Sequence, residues 1–244
     1  MYKKEKNNEI VENIAEYNLK IIQNKKYFKF GVDSVALAKF AASHRTRPVV
    51  LDACSGSGAV GLIYHRLIED KVSKNKGYRE IEKIFFIEKQ GYFADLNKRN
   101  LEENNFKNFK VINKNIKDKA IFDEIEANSV DIILVNPPYG IVGSIVNSTF
   151  KEKSIARSEK NDFLEHFFSF AHKILKSNGE IFMVHRPERL VDIFCAARQN
   201  KIEPKTMKMV NSDPSKKPAI VLLRLVKSAR PFLKIEDPFI INKD

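Results

Sequence analysis

From Val49 onward, the chain alternates short apolar runs with longer segments in which apolar residues recur at helical spacing. The apolar runs are rich in β-branched and aromatic residues and are short enough to be buried strands. Six strands are predicted: Val49–Ala53, Ile84–Glu88, Phe109–Ile112, Val130–Val135, Ile181–His185 and Ala219–Val226. Four helices are predicted between them: Ala59–Asp70, Phe93–Asn104, Asp162–Lys176 and Glu188–Asn200. Because alternating strands and helices need crossover connections, this pattern predicts an α/β fold with a mostly parallel sheet covered by helices on both faces.

The segments on either side of this pattern are less regular. We expect one globular domain with three parts: an N-terminal extension (1–48), a main domain (49–227) and a C-terminal tail (228–244). Within the extension, Asp33 and Ser34 are typical of a helix start and predict a helix over Val35–Ser43.

Local breaks are also predicted inside the main domain. Lys176–Gly179 is typical of a helix that ends at a glycine cap. Val72–Gly77 is polar and basic, and Gly140–Lys160 has no clear periodicity, so we expect both stretches to be mobile.

Composition places the chain among globular proteins. Its 244 residues exceed the roughly 150 residues of an average domain, and 43% of them are hydrophobic and 10% aromatic. The formal net charge is +12, which points to a polyanionic partner.

Several classes of protein are excluded by what the chain lacks. The two cysteines, Cys54 and Cys195, are far from any Cys-x-x-Cys spacing, which excludes a disulfide scaffold and a cysteine-rich zinc site. The five histidines show no metal-ligand spacing, so we expect no metal; they are His44, His65, His166, His172 and His185. No apolar run approaches 18 residues and the N-terminus does not resemble a signal peptide, so we expect a soluble, cytoplasmic protein without a membrane partner.

A glycine-rich turn follows the first predicted strand and is itself followed by a helix. After Asp52, the turn contains Ser55, Gly56 and Gly58, and such glycines allow the backbone to approach a ligand while the helix N-terminus offers N–H donors. Alone, this pattern is also compatible with an ordinary tight turn. We expect Cys54, which adjoins the loop, to be a small buried residue rather than a nucleophile.

Two polar residues after the next strands strengthen the interpretation as a cofactor site. Glu88 ends the second predicted strand, where a carboxylate could hold a ribose diol, although the spacing from Asp52 is longer than the usual ~20 residues. Asn115 follows the third strand and could meet an adenine edge. Dinucleotide and S-adenosylmethionine interpretations both remain open at this point.

The fourth predicted strand runs directly into Asn136-Pro137-Pro138-Tyr139. The prolines remove backbone donors and stiffen the turn, which leaves the Asn136 amide oxygen and the Pro137 carbonyl as two fixed acceptors beside an aromatic face. This arrangement suits a planar amino group, whose two hydrogens are accepted while its ring stacks on Tyr139.

In chain order, Asp52–Gly58, Glu88 and Asn136–Tyr139 resemble class I S-adenosylmethionine-dependent methyltransferases that act on planar amino nitrogens. From Gln23 to the C-terminus, the chain resembles more closely the bacterial tRNA1(Val) adenine-N6 methyltransferases, which modify adenosine 37 beside the anticodon. The stretches that carry this likeness are Gln23 with Phe28–Val35, Asn97–Asn100 with Asn104, Ala156–Glu159 and Arg186–Leu190. Three positions depart from the family pattern, since Cys54 and Ser55 stand where glycine is commoner and Asn115 where aspartate is frequent.

The resemblance implies a Rossmann-like fold with a seven-stranded sheet, S-adenosylmethionine as cofactor and direct methyl transfer to the exocyclic nitrogen of adenine. It implies catalytic roles for Asn136, Pro137, Pro138 and Tyr139. The implied cofactor-binding residues are Phe30, Asp33, Asp52, Ser55, Gly56, Gly58, Glu88, Asn115 and Asn136. The expected partner is the anticodon stem-loop of a tRNA, bound by a protein that we expect to be a monomer.

Basic residues flank the catalytic tetrapeptide and are predicted to bind RNA. They are Lys151, Lys153, Arg157, Lys160, Arg186 and Arg189. The predicted mobile stretch Gly140–Lys160 is either a lid that orders on RNA or an ordinary surface loop.

Three other functions remain possible from the sequence. The same tetrapeptide occurs in protein glutamine methyltransferases, but those carry a sizeable helical domain before the cofactor loop, whereas 48 residues precede Val49 here. A DNA adenine methyltransferase would need a target-recognition domain, for which we expect no spare length. A catalytically silent RNA-binding module would not need the intact cofactor and catalytic motifs.

Overall fold

The computed structural model describes residues 8–26, 30–43, 49–74, 79–137, 150–211, 213 and 215–240, with side chains in the helix from Phe150 described from residue 162 onward. The strands in these ranges are β1 (Glu9–Ile14), β2 (Leu19–Asn24), β3 (Val49–Ala53), β4 (Lys83–Ile87), β5 (Phe109–Ile112), β6 (Val130–Val135), β7 (Leu175–His185), β8 (Ile202–Asn211), β9 (Ile220–Lys227) and β10 (Lys234–Ile240). The helices are α1 (Val32–Ala42), α2 (Ala59–Lys74), α3 (Gly91–Glu103), α4 (Phe150–Ile174) and α5 (Leu190–Gln199).

The main sheet has eight strands in the order β10-β8-β9-β7-β6-β3-β4-β5. Strand β9 is antiparallel to β7 and β8, whereas every other neighbouring pair is parallel. This confirms the α/β class and the mostly parallel sheet. The expected number of seven strands is wrong, because β10 adds to the outer edge of β8 as an eighth strand.

Successive residues of the central strands face opposite sides of the sheet, which produces two hydrophobic cores. Val50 of β3 and Phe86 of β4 belong to one core, which also contains buried residues of α1 and α2. Their neighbours Leu51 and Phe85 belong to the other core, which contains buried residues of α4 and α5. Helices therefore cover both faces, as predicted.

Two strands of the sheet were not predicted, and both carry a proline. In β8, the burial of successive residues alternates and the register shifts between Pro204 and Thr206. In β10, the register shifts between Glu236 and Phe239, on either side of Pro238. Because proline cannot donate to a ladder, it occurs in strands at such irregularities or at an edge, and its presence obscures the strand pattern.

The predicted helix end at Lys176–Gly179 is wrong. Helix α4 ends at Ile174 and β7 begins at Leu175, so these four residues lie in the first part of the strand. Asn178 has the left-handed backbone conformation there, with φ of 58°. Asparagine tolerates this conformation better than most residues, so Asn178 adopts it here and Gly179 does not form the predicted helix cap.

The two stretches predicted to be mobile are partly helical. Helix α2 includes Val72–Lys74, and α4 includes residues 150–160, so these residues are helical rather than irregular. Lys, Glu, Ala and Arg predominate from 151 to 160 without proline or glycine, and such residues extend a helix readily. Residues 75–77 and 140–149 lie outside the described part of the chain.

The extension before Val49 contains a separate antiparallel hairpin, β1–β2, and α3 packs against its second strand. The Ile22 N–H donates to Asn100 Oδ1 at 2.7 Å, and Asn100 Nδ2 donates to the Ile22 carbonyl at 3.1 Å. Asn104 repeats this pairing with Lys20, at 2.9 and 2.7 Å. Two asparagines spaced by four residues on one helix face thus bind alternate residues of β2.

Candidate active site

The register of the central strands brings their C-terminal ends together. Ala53 of β3 is aligned with Ile87 of β4 and with Val135 of β6. The residues that follow Ile87 and Val135 are Glu88 and Asn136, so both lie at the edge of the sheet where the glycine turn leaves β3. The chain continues from β3 to β4 on one side and later returns to β6 on the other, and ligands bind at such a switch in strand order.

The Glu88 carboxylate is held by the backbone on both of its oxygens. The Gly56 N–H donates to Oε2 at 3.0 Å, and the Gln90 N–H donates to Oε1 at 2.8 Å. A carboxylate oxygen can accept more than one hydrogen bond, so both oxygens keep capacity for a ligand. Glu88 therefore fixes the glycine turn and can also bind a diol.

Ser55 directs its side chain away from the turn, which explains why it can replace a glycine. Its hydroxyl accepts a hydrogen bond from Asn97 Nδ2 of α3 at 2.9 Å and donates to the Ile87 carbonyl at 3.3 Å. The departure from the family pattern at Ser55 thus adds a link between the turn, β4 and α3.

Gly58 is required by its surroundings. A β-carbon on Gly58 would lie 2.4 Å from Asn97 Oδ1, and the residue has a φ of +84°, which disfavours any side chain. Asn97 is fully buried, and sequence reasoning gave it no role beyond the resemblance. Asn97 lies in α3, far along the chain from the glycine turn, so no local sequence pattern indicates that the two are in contact.

Asp52 is a buried carboxyl at the end of β3, with 1% of its surface exposed. Its Oδ2 accepts a hydrogen bond from the Gly61 N–H at 2.9 Å, and its Oδ1 has no hydrogen-bond partner among the described residues. Burial raises the pKa of Asp52 to about 7; the Gly61 hydrogen bond opposes this shift and the Glu88 charge adds to it.

Cys54 is half-buried rather than buried as expected, and it does not have the properties of a nucleophile. Burial, and then the charges of Glu88 and Asp52, raise the pKa of its thiol to about 12. The thiol is therefore protonated at neutral pH, and only the thiolate is a strong nucleophile.

Asn115 was expected beside the C-terminal end of β5, but it lies three residues beyond that end. Its Oδ1 accepts from the Lys117 N–H at 3.1 Å in a local turn, and the residue is exposed. Asn113 is the residue that directly follows β5, and its Nδ2 donates to the Glu88 carbonyl at 2.8 Å. Sequence reasoning missed Asn113, although its position as the first polar residue after the strand could have identified it.

The surroundings of Glu88 fit an adenosyl group. The carboxylate can accept from the two hydroxyls of a ribose. Apart from Gly56 and its two chain neighbours, no described residue has an atom within 4 Å of the point where a β-carbon on Gly56 would sit. Asp52 Oδ1 adds a buried acceptor whose hydrogen-bonding capacity is not used by the described residues.

Asn136 is half-buried at the end of β6, and Pro137 after it is buried. The carboxamide Nδ2 of Asn136 donates to Ser34 Oγ at the start of α1, at 3.2 Å. Pro138 and Tyr139 lie outside the described residues. The structure thus brings Asn136 to the same sheet edge as the glycine turn and Glu88.

Phe30 and Asp33 belong to the segment that leads into α1. The Phe30 N–H donates to Gln23 Oε1 of β2 at 2.9 Å, and the ring packs against the core that contains α1. Asp33 is half-buried in the first turn of α1. The expected contacts of both residues with a cofactor remain predictions.

Of the basic residues predicted to bind RNA, Arg186 and Arg189 have described side chains. Arg186 is exposed directly after β7, next to β6 in the sheet, and donates to the Ala219 carbonyl at 3.0 Å. Arg189 forms an ion pair with Asp192 at 2.7 Å. Lys151, Lys153, Arg157 and Lys160 lie in α4, where their side chains are outside the description.

No group of three or more His, Cys, Asp or Glu side chains in the described ranges is arranged to hold a metal ion. Nor does any helix there combine the length and the apolar character that crossing a membrane requires.

Comparison with solved structures finds methyltransferases of low sequence identity. The predicted O-methyltransferase Atu636 from Agrobacterium tumefaciens is 17% identical, with a TM-score of 0.64 over 86% of this chain and 87% of that one. TYW2 from M. jannaschii, solved in complex with AdoMet, is 16% identical, with a TM-score of 0.55 over 93% and 89% of the two chains. TrmN from Thermus thermophilus is 15% identical, with a TM-score of 0.55 over 80% of this chain and 48% of that one.

These likenesses show the fold, which is the class I methyltransferase fold expected from the sequence. A search of curated proteins finds no match. The sequence pattern of the family N-6 DNA Methylase matches residues 32–209, a stretch that begins at α1 and includes the glycine turn, Glu88 and Asn136. The chain therefore belongs to the N-6 DNA Methylase family of methyltransferases.

Proposed function

We propose that this chain is an S-adenosylmethionine-dependent methyltransferase that methylates the exocyclic N6 of adenosine 37 in the anticodon loop of a tRNA, with tRNA1(Val) as the expected substrate. The observation that carries the proposal is the position of Asn136, which follows β6 in register with the strand that leads into the glycine turn. Membership of the N-6 DNA Methylase family supports methyl transfer to such a nitrogen.

The cofactor site is formed by the glycine turn and the neighbouring strand ends. Glu88 accepts from the ribose hydroxyls, and the backbone at Gly56 lies against the ligand. The AdoMet complex of the structurally similar M. jannaschii TYW2 supports this assignment. When bound, S-adenosylmethionine supplies an electrophilic methyl group on a sulfonium.

The target amino group is held by the catalytic tetrapeptide. Asn136 Oδ1 and the Pro137 carbonyl accept its two hydrogens, and Tyr139 stacks on the adenine ring. The amino nitrogen forms a bond to the methyl carbon as the carbon–sulfur bond breaks, and the nitrogen then loses one proton to solvent. Because the two acceptors favour the developing tetrahedral nitrogen, catalysis depends on positioning and electrostatics.

A tRNA suits the charge of the protein and the position of Arg186. The net charge is +12, and Arg186 is exposed beside the end of β6. A base in the anticodon loop is already unpaired, which lowers the cost of a few kcal/mol for moving a base into the site.

Incubation with unmodified tRNA and labelled S-adenosylmethionine tests the proposal. Digestion to nucleosides and mass spectrometry should identify N6-methyladenosine, and the same tRNA with guanosine at position 37 should stay unmethylated. Transfer of the methyl group to another position of the tRNA, to duplex DNA or to a glutamine-containing protein would show that the enzyme has a different substrate. Cofactor binding without transfer to any of these would favour a silent RNA-binding module.

Replacing Glu88 by alanine should weaken S-adenosylmethionine binding by at least about 100-fold. The change removes hydrogen bonds to a charged group, each worth roughly 1.5–3 kcal/mol, and also frees the Gly56 N–H. Calorimetry measures the loss, with circular dichroism as the check of folding. Glu82→Ala is the matched control, because Glu82 is exposed just before β4 begins at the opposite end of the strand. Equal affinities for wild type and Glu88→Ala would place the ribose contact elsewhere.

Binding to tRNA should depend steeply on salt because it is dominated by phosphate contacts. Each neutralised phosphate contributes about −0.7 to −0.9 to the slope of log K against log salt concentration. Arg157→Gln should reduce the slope and the affinity while S-adenosylmethionine binding is unchanged. Lys83→Gln removes the same charge at the start of β4, away from the strand ends, and should have little effect. A slope near zero for the wild type would contradict this prediction.

A further inference from the structure

The carboxamide of Asn136 is bound by a residue from a distant part of the chain. Asn136 Nδ2 donates to Ser34 Oγ at 3.2 Å across a sequence separation of 102 residues. Ser34 is only 4% exposed, so its hydroxyl is directed into the protein rather than toward solvent. The hydrogen bond therefore joins the start of α1 to the end of β6.

Ser34 is itself fixed from two directions. Its N–H donates to the Gly31 carbonyl at 3.0 Å in the first turn of α1, and further along the helix Phe40 packs edge-on against Phe182 of β7, with ring centroids 5.8 Å apart. The segment before the helix is tied to β2 through Gln23, which binds the Phe30 N–H and donates to Glu12 at 2.6 Å. The hydroxyl is thus held in place independently of the turn that carries Asn136.

The orientation of a carboxamide decides which chemistry it offers. Rotation about its last side-chain bond exchanges an acceptor oxygen for a donor –NH2. A target amino group needs the oxygen, because an –NH2 turned toward it would place donor against donor. With Nδ2 bound to Ser34, the oxygen is directed to the other side of the group.

We propose that Ser34 is a positioning residue that restrains the rotation of the Asn136 carboxamide, whose oxygen lies on the side opposite to the Ser34 hydroxyl. This inference rests on the proposed function. Ser34 does not touch the reacting atoms; it acts by limiting the orientations of the residue that does.

Single-turnover methylation of tRNA tests this role. Ser34→Ala should lower the rate constant about 3- to 10-fold, in line with the loss of one neutral hydrogen bond, while the dissociation constants for S-adenosylmethionine and tRNA stay unchanged. Ser43→Ala is the matched control at the other end of α1, where the hydroxyl donates to the Phe40 carbonyl at 2.7 Å, and it should keep the wild-type rate. In an Asn136→Ala background, Ser34→Ala should have no further effect.

A spectroscopic measurement examines the contact without any need for activity. In protein labelled with 15N-asparagine, the side-chain –NH2 signal of Asn136 is assigned by its loss in Asn136→Ala. That signal should shift and exchange faster with water in Ser34→Ala, but not in Ser43→Ala.

The outcomes separate this inference from the proposed function. An active wild type with an equally fast Ser34→Ala variant, or an equal slowing in both Asn136 backgrounds, would overturn the role of Ser34. An unchanged –NH2 signal in Ser34→Ala would also overturn it. A wild type that methylates no substrate would overturn the proposed function, and the –NH2 signal would still decide whether Ser34 holds the carboxamide.

Discussion

Replacing Asn136 by alanine should slow methyl transfer by about 10²–10³ in single-turnover assays. The change deletes one of the two acceptors that we propose for the target amino group, an interaction that strengthens as the nitrogen becomes tetrahedral. The expected size follows from the loss of a single oxyanion-hole donor in other enzymes, which has a comparable effect.

Cofactor affinity is the control for this variant. The resemblance also implies a cofactor contact for Asn136, but the adenosyl group is expected at the ends of β3 and β4, whereas Asn136 follows β6. Calorimetry should therefore show nearly the same dissociation constant for S-adenosylmethionine. A fully active Asn136→Ala enzyme cannot be reconciled with the proposed mechanism. A large loss of cofactor binding would instead assign Asn136 to the cofactor site.

The contribution of Asp52 to the free energy of unfolding should fall as the pH rises from about 4 to about 7. Burial raises the pKa of this carboxyl to about 7 in the folded state, from 3.8 as its ordinary value. Between these values the unfolded chain releases the proton while the folded protein keeps it, so the stabilisation present below pH 4 is lost as the pH approaches 7. A shift of about three units corresponds to about 4 kcal/mol.

Urea denaturation of the cofactor-free protein at several pH values measures this effect. In Asp52→Asn, the pH dependence caused by the Asp52 carboxyl disappears. As the pH rises from about 4 to about 7, the free energy of unfolding of the wild type should therefore fall relative to that of the variant. Asp123→Asn, which removes an exposed carboxyl, should leave the wild-type profile intact. Parallel profiles for wild type and Asp52→Asn would contradict a raised pKa.

The centre of the fold could be predicted because its strands are buried on both faces. The predicted bounds of the central strands β3 and β6 match the structure, since each is a short, predominantly apolar and almost fully buried run. The bounds of the edge strand β5 match as well. The same runs placed the glycine turn and Asn136 at one edge of the sheet. Burial on both faces leaves a strong signal in a single sequence.

The outer strands and the links between distant segments could not be predicted. Strand β8 is half-buried and carries Pro204, and β10 lies at an edge with Pro238, so neither shows a continuous apolar run. The contacts of Asn97 with the glycine turn and of Ser34 with Asn136 join residues that are distant in the chain. Such pairings leave no local pattern, because they are decided by how helices dock on the completed sheet.

The pairing of Asn100 and Asn104 with β2 has a consequence for association between copies of this protein. A strand edge with free N–H and C=O groups can accept a further strand, which is a common route to aggregation and to exchange of segments between molecules. At Ile22 and Lys20, the two carboxamides already supply the donor and acceptor that an added strand would bring. Helix α3 thus occupies the edge of β2 at which a strand of another molecule could pair. Pairing there would first require α3 to detach from the hairpin.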